Sequence, residues 1–404
     1  MSVIPSSSAQ QQGRLHWLAS WATPVAALAA YLAFWPVPAD PVAWSAPQNL
    51  GYAGAHAVNQ KLGGLQPISL GAGQAGPEHI TAHQGWLYTG LSNGDVLKFS
   101  PDGKTREVVA NTGGRPLGSD LDAQGRVLVA DGVKGLLRIE GSGAGAKVET
   151  LLATVDDPVA GDPIRYADAV KVGPDGTLWL TDASRRFGVV EWKSTLEASV
   201  LDILEHSCTG RLIAVDPQSL KSRVALAGLC FPNGVAFSKD GKAMFLSETG
   251  TYRVLKIDLA KLSLTRATQG MMNTPTLANA LSQGAATVLV DNLPGFPDNL
   301  VAGEQGRLWV GLTKPRSAVI DFAAEHPVLR KLTLRLPRFL WPMPKAYGHV
   351  VALDEAGKVM DDLQDPSGAY PETTAATEVD GKLFIQSLNA KTIGWLTYSG
   401  PGSK

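Results

Sequence analysis

Charge imbalance is missing from this chain of 404 residues: 36 Lys and Arg stand against 37 Asp and Glu, and no basic block interrupts them. Nucleic acid is therefore not expected as the main partner. Cysteine is nearly absent too. Two residues, with no CxxC pair, exclude a disulfide framework and make thiolate zinc unexpected. There is no Gly-x-Ser-x-Gly elbow, no phosphate-binding glycine loop and no dinucleotide fingerprint, so a serine hydrolase or a nucleotide enzyme has no support.

What the chain does have is glycine, 43 of them with 26 prolines. Glycine supplies the positive φ of tight turns, and this abundance fits many short strands. Length allows one large domain or two modest ones. Only the N-terminus departs from this texture. From Leu15 to Pro36 no charged residue occurs, and Trp17, Trp21, Tyr31 and Trp35 lie toward the ends of the run. Roughly 20 apolar residues suffice to cross a bilayer as a helix, with aromatics at the interfaces. Arg14 is the only Lys or Arg before Lys61. The positive-inside rule then keeps residues 1–14 in the cytoplasm and puts the rest outside, periplasmic or extracellular. A signal peptide cleaved near Val37-Pro38-Ala39 is the competing reading, and would give a secreted protein. Residues 37–75, rich in Pro, Ala and Gly, read as a linker with one joining strand.

From Pro77 a phrase recurs: an oxygen-bearing or small residue, a short run, a turn glycine, an apolar strand, then a further strand. Its glycines are Gly85, Gly125, Gly176, Gly241, Gly306 and Gly381. Six divergent copies of a multi-strand unit over 76–400 predict an all-β fold, a six-bladed β-propeller. Insertions at 187–205, helical in its second half, and at 323–347 are expected as lids over one mouth. Arg330, Lys331, Arg335 and Arg338 in the second lid are candidates to face acidic lipid. Residues 265–287 read as a mobile loop.

Counting back eight residues from each turn glycine gives Leu117, Asp168, Asn233, Asp298 and Thr373; the shorter first repeat gives Glu78. These positions begin the innermost strands, so their side chains converge on the axis. Glu78, Asp168, Asn233 and Asp298, with Asn299 beside the last, offer only hard oxygen ligands. Such a set suits Ca²⁺, which takes roughly six to eight oxygens, better than Zn²⁺. Turn capping is the alternative role for Asp and Asn after proline. With a divalent ion in place, a carbonyl could be polarised while Asp168 or Asp298 activates water and Asn299 contacts substrate. His349, within a strand, reads as a packed or surface residue, and His79 is singled out only for its position beside Glu78.

These residues resemble those of the strictosidine synthase-like family, notably its adipocyte plasma-membrane-associated branch, within the wider gluconolactonase, senescence-marker and paraoxonase propellers. The resemblance rests on GPEHI at 76–80, GRPLG at 114–118, YADAVKVGPDGTLWLTDAS at 166–184, TGRLIAVDP at 209–217, GLCFPNGVAFSKDGKAMFLSET at 228–249, LPGFPDNL at 293–300 and EVDGKLFI at 378–385. It implies a calcium ion held by Glu78, Asn233 and Asp298. Asp168 stands where the family commonly has asparagine, and Leu117 where paraoxonases carry a catalytic histidine. The glutamate of the plant synthases falls near Pro371, with Glu372 adjacent. The resemblance thus points to a membrane-anchored, calcium-dependent lactonase or arylesterase. A non-enzymatic propeller that binds a partner or lipid, or an amine–aldehyde condensing lyase, remains the alternative. Folding the hairpin around Ser219 sets Cys208 opposite Cys230, within reach of a disulfide in an oxidising compartment.

Overall fold

A computed structural model describes residues 22–269 and 274–401. Six four-stranded antiparallel sheets account for nearly all the strands, and a two-stranded ribbon (Thr154–Val155 with Asp162–Pro163) joins them. Their innermost strands are Ile80–His83, Pro116–Leu121, Ala167–Val172, Pro232–Phe237, Gly295–Ala302 and Thr373–Val379. Each packs against the next around a closed ring, the last meeting the first. These sheets are blades one to six in that order. Every inner hairpin turns through its glycine at positive φ, as at Gly176 (85°) and Gly241 (69°), a conformation that disfavours any side chain.

A single sheet of this kind cannot bury both faces. Radial stacking solves the problem, with one hydrophobic cluster at each of the six blade junctions. Between blades three and four, for example, Trp179, Leu212 and Leu226 meet Val235, Met244 and Leu255. The second strands Leu178–Asp182 and Ala243–Glu248 are consequently buried along their whole length, whereas the outer strand Arg106–Asn111 is mostly exposed.

Blade six takes its outer strand from the segment expected as linker. Gln66–Ser69 pairs antiparallel with Thr392–Thr397, and this pairing of chain start with chain end closes the ring. The region read as a mobile loop is ordered where it is described. A helix spans Leu259–Gln269, a second spans Leu277–Ser282, and Ala286–Val290 is the outer strand of blade four. That strand, Ala286-Thr287-Val288-Leu289-Val290, begins only in the last two residues of the stretch read as a loop, whose earlier part is small and polar.

Within the apolar N-terminal run, residues 22–34 are helical, while 15–21 lie outside the described residues. No helix of the described residues is long and apolar enough to cross a membrane. The basic residues of the second lid are engaged within the chain. Buried Arg330 donates to the carbonyls of Leu204 and Ala324, both at 2.9 Å, and Arg335 to those of Leu32 and Trp35. Lys331 pairs with Asp40 and Arg338 with Glu197. These cations fasten the segment before the linker to the lids.

Candidate metal centre

Each of blades two to six carries a register shift at the start of its inner strand. The unpaired residues are Leu117 and Gly118, Asp168 and Ala169, Asn233 and Gly234, Asp298 and Asn299, and Thr374 and Ala375. A bulge bends the strand and re-aims a side chain, and here it turns one residue per blade toward the axis. The small residue that follows is required by the packing. A Cβ on Gly234 would lie 1.9 Å from the nitrogen of Leu300, and one on Gly118 would lie 2.7 Å from the carbonyl oxygen of Asp168.

The bulges correct one assignment. Blade six has the shorter inner turn, like blade one, so its axial residue is Thr374 and not Thr373. The hydroxyl of Thr373 instead accepts from the amide of His349 and donates to its carbonyl, at 2.8 and 2.7 Å. Thr374 donates to the carbonyl of Glu78. Hydroxyls on the second strands hold the other bulges: Thr181 donates to the Asn233 carbonyl at 3.0 Å, and Ser247 to that of Asp298. Thus the ligands sit on backbone that is itself hydrogen-bonded from a neighbouring blade.

Glu78, Asp168, Asn233 and Asp298 all line one cavity of about 380 Å³. All four are buried, and Asn299, buried beside Asp298, donates to the Glu78 carbonyl at 3.2 Å. Burial pushes the Glu78 carboxyl up to about 7, with Arg115 opposing. It pushes Asp168 well above the carboxylate range, helped by the negative charges of Glu78 and Asp298. Asp298 is raised well above that range by burial and Glu78, against hydrogen bonds from the Asn299 amide and the Asn233 side chain. Three acids that repel one another in a dry pocket either hold protons or hold a cation.

Unpartnered atoms favour the cation. Among the described residues, Asp168 Oδ1, Asn233 Oδ1 and Asn299 Oδ1 are buried with no hydrogen-bond partner, and each is a hard oxygen of the kind Ca²⁺ takes. Leaving such atoms bare costs about 1–3 kcal/mol each, more for a charged one.

Sequence reasoning missed several residues of this cavity. Arg115 pairs with Glu78 at 2.9 Å; the count of one residue per blade passed over it, although it lies two positions before Leu117. Lys314, also missed, pairs at 2.6 Å with Glu372, the residue that the resemblance set beside the plant synthases' glutamate; both line the cavity, and Glu372 holds a positive φ of 55°. Leu196, Val200, Ile203 and Leu204 on the helix Thr195–Glu205 contribute an apolar side, with Trp341 to Pro344 from the second insertion. Leu117 packs with Tyr166, Phe187 and Phe231 beneath the lid and offers no ligand. The acids that end second strands, Asp131, Asp182 and Glu248, face away from the axis. They accept from the amides of Arg115, Tyr166 and Cys230, and so tie down the loops that lead into the inner strands. His79 is buried, its pKa lowered to about 3 by burial, and it meets Ser119 and Thr81. Cys208 and Cys230 form a disulfide that joins the end of the lid helix to the approach to Asn233.

The fold and pocket together define a propeller with an oxygen-lined axial cavity. Profiles of two families match, "Strictosidine synthase-like, N-terminal" over residues 54–99 and "Strictosidine synthase" over 168–260. Protein STRICTOSIDINE SYNTHASE-LIKE 6 of Arabidopsis thaliana is 30% identical over 339 residues, covering 82% of this chain and 81% of the relative. The chain belongs to the strictosidine synthase-like family. It is also similar to the adipocyte plasma membrane-associated protein of Salmo salar, 27% identical over 78% of this chain and 74% of that one. Among solved structures, a gluconolactonase from Xanthomonas campestris superposes with a TM-score of 0.53 at 17% identity, covering 91% of this chain and 98% of its own. The calcium-binding protein regucalcin from Agrobacterium tumefaciens gives 0.51 at 15%, covering 84% and 93%. These two likenesses establish the fold.

Proposed function

We propose that this protein is a divalent-cation-dependent hydrolase of lactones or aryl esters. The ion, Ca²⁺ by its ligand chemistry, would be held by Glu78, Asp168, Asn233 and Asp298. We further propose that the apolar run 15–36 tethers the propeller to a membrane, on whose outer side it works. The observation that carries the reading is the set of unpartnered buried oxygens on Asp168 and Asn233, which line a cavity that also bears the apolar side of the lid helix, and on Asn299 beside Asp298. The regucalcin and gluconolactonase likenesses are consistent with it.

When bound, the ion supplies a positive centre that polarises an ester carbonyl and stabilises negative charge on its oxygen. The chain's own residues do the rest. With Asp168 Oδ1, which has no hydrogen-bond partner, turned to the ion, the other oxygen of that carboxylate would take the proton of the attacking water. Asp298 is held by the Asn299 amide at 3.0 Å and by the Asn233 side chain, which makes it the more rigid ligand and the weaker base. Arg115 balances the charge of Glu78. The lid helix and residues 341–344 exclude water and receive the apolar part of the substrate.

A second reading has one observation behind it. Glu372 and Lys314 face the cavity, so a carboxylate does stand near the place where amine–aldehyde condensation would use one. A panel of lactones, aryl esters and amine–aldehyde pairs, run with and without chelator, separates the readings. Hydrolysis abolished by chelation and by Asn233→Ala supports the hydrolase. Condensation that survives chelation and is lost in Glu372→Gln replaces it. A folded, cation-loaded protein inert on every substrate would leave the ion a structural role.

A further inference from the structure

Away from the axis, a group of side chains among the described residues has the composition of a metal site. His349 begins the third strand of blade five, Asp362 lies on the outer strand beside it, and His56 ends a short helix, Gly54–His56, in the segment that precedes the first blade. Their ligand atoms, His56 Nδ1, His349 Nε2 and a carboxylate oxygen of Asp362, lie within 4.8 Å of one another. Both imidazoles converge on the same oxygen: His56 Nδ1 stands 2.7 Å and His349 Nε2 2.8 Å from Asp362 Oδ2.

We propose that His56, His349 and Asp362 form a second metal site, one for a borderline transition ion such as Zn²⁺. The donor set is two imidazoles and a carboxylate, where the axial centre offers oxygen alone, so the two sites sort ions by softness. The carboxylate is already aimed. Asp362 Oδ1 accepts from Asn59 Nδ2 at 3.2 Å and from Gln364, and Gln364 Oε1 in turn accepts from the Tyr347 hydroxyl at 2.7 Å. Oriented carboxylates of this kind are the usual outer support of a metal ligand.

The imidazoles are free to comply. His349 is buried and its Nε2–H faces the Asp362 carboxylate; its Nδ1 has no partner among the described residues, so that proton can move to Nδ1 when Nε2 turns to a metal. His56, with 18% of its side chain exposed, leaves the fourth position open to water. Metal–ligand bonds of about 2.0–2.2 Å in tetrahedral geometry separate ligand atoms by roughly 3.3 Å, so each contact need open by only about half an ångström. Tyr52 and Tyr347, stacked at 4.9 Å, wall the site on one side. A second triad among the described residues, His206 with Cys208 and Cys230, has both its thiols taken up by the disulfide.

Such an ion would clip the segment between the N-terminal apolar run and the propeller more tightly to blade five, a connection now made by hydrogen bonds, the Lys61–Asp361 ion pair and the packing of Leu62. The test uses the full chain in detergent, stripped by chelator, saturated with Ca²⁺ and titrated with Co²⁺, whose visible absorption reports four- or five-coordinate nitrogen and oxygen ligation. One Co²⁺ per chain, displaced by Zn²⁺, is expected. His56→Ala, a change at a half-exposed residue outside the blades, should weaken binding at least about tenfold, and Asn59→Ala by about 10–100-fold if it orients Asp362. Asp168→Asn should leave Co²⁺ binding unchanged. The proposal is overturned if the Ca²⁺-saturated chain takes up no Co²⁺ or Zn²⁺, if His56→Ala binds as the parent does, or if Asp168→Asn abolishes the signal.

Discussion

Asp168 and Asp298 belong to blades that are not neighbours in the ring, yet Asp168 feels the charge of Asp298, because two bulges aim them into the same small volume. Burial and the charge of Glu78 hold both acids well above their ordinary range, and burial alone raises Glu78 to about 7. A divalent ion reverses that balance, since bare oxygens gain a partner and the acids lose their protons. Calorimetric titration of the chelator-stripped chain with Ca²⁺ near neutral pH should therefore release protons, seen as a heat that changes with the ionisation enthalpy of the buffer. Asp168→Asn removes one charge and one proton. It should weaken Ca²⁺ binding by at least about tenfold and diminish the proton release; a buffer-independent heat would remove the electrostatic argument.

The helix Thr195–Glu205 is the element that turns an open mouth into a cavity. Ser194 caps it through the Glu197 amide, its apolar side lines the pocket, and its last turn is fastened by Arg186 on Glu205 and by the disulfide just beyond. On its buried side lies Asp202, pushed up to about 7 by burial; the neighbouring carboxylates of Glu205 and Asp182 add to the shift, and a hydrogen bond with Ser184 opposes it. A carboxyl whose folded pKa exceeds its unfolded value of 3.8 contributes stability that is complete below that value and lost as pH rises through about 7. Thermal unfolding followed from pH 4 to 9 should show a Tm that falls toward about pH 7 and levels beyond it, and Asp202→Asn should flatten part of that fall. A parent and variant with parallel profiles would mean that Asp202 titrates as it does in the unfolded chain.

For the whole molecule, ring closure matters most. Blade six is completed by Gln66–Ser69, and Ile68 of that strand packs with Ile80, Leu87 and Phe99 of blade one as well as with Phe384 and Ile393 of its own blade. Ile68→Ala is expected to cost about 2–5 kcal/mol in denaturant unfolding, and to act on the junction of blades one and six. A change within measurement error would show that the ring holds together without this strand.

Much of this architecture is written locally. Six glycines, five of them set at like distances from oxygen-bearing residues and one from Leu117, announce six blades, because an inner hairpin needs a turn residue at positive φ and a strand start that faces the axis. That same count brought out Glu78, Asp168, Asn233 and Asp298. It missed Thr374 by one position, since the length of a turn and the presence of a bulge are settled by pairing between strands. Arg115, Lys314 and Glu372 reach the cavity across blades, and no spacing within a repeat records such a meeting. The basic residues of the second lid look like a lipid-facing patch in the chain but are consumed by carbonyls of Leu32, Trp35 and Leu204. Periodicity along the chain thus determined the fold and the kind of atom at its centre. Which atoms lack partners there, which charges are already matched, and how His56 meets His349 and Asp362 were decided only by tertiary structure, because burial and hydrogen-bond partnership exist only between segments brought together by folding.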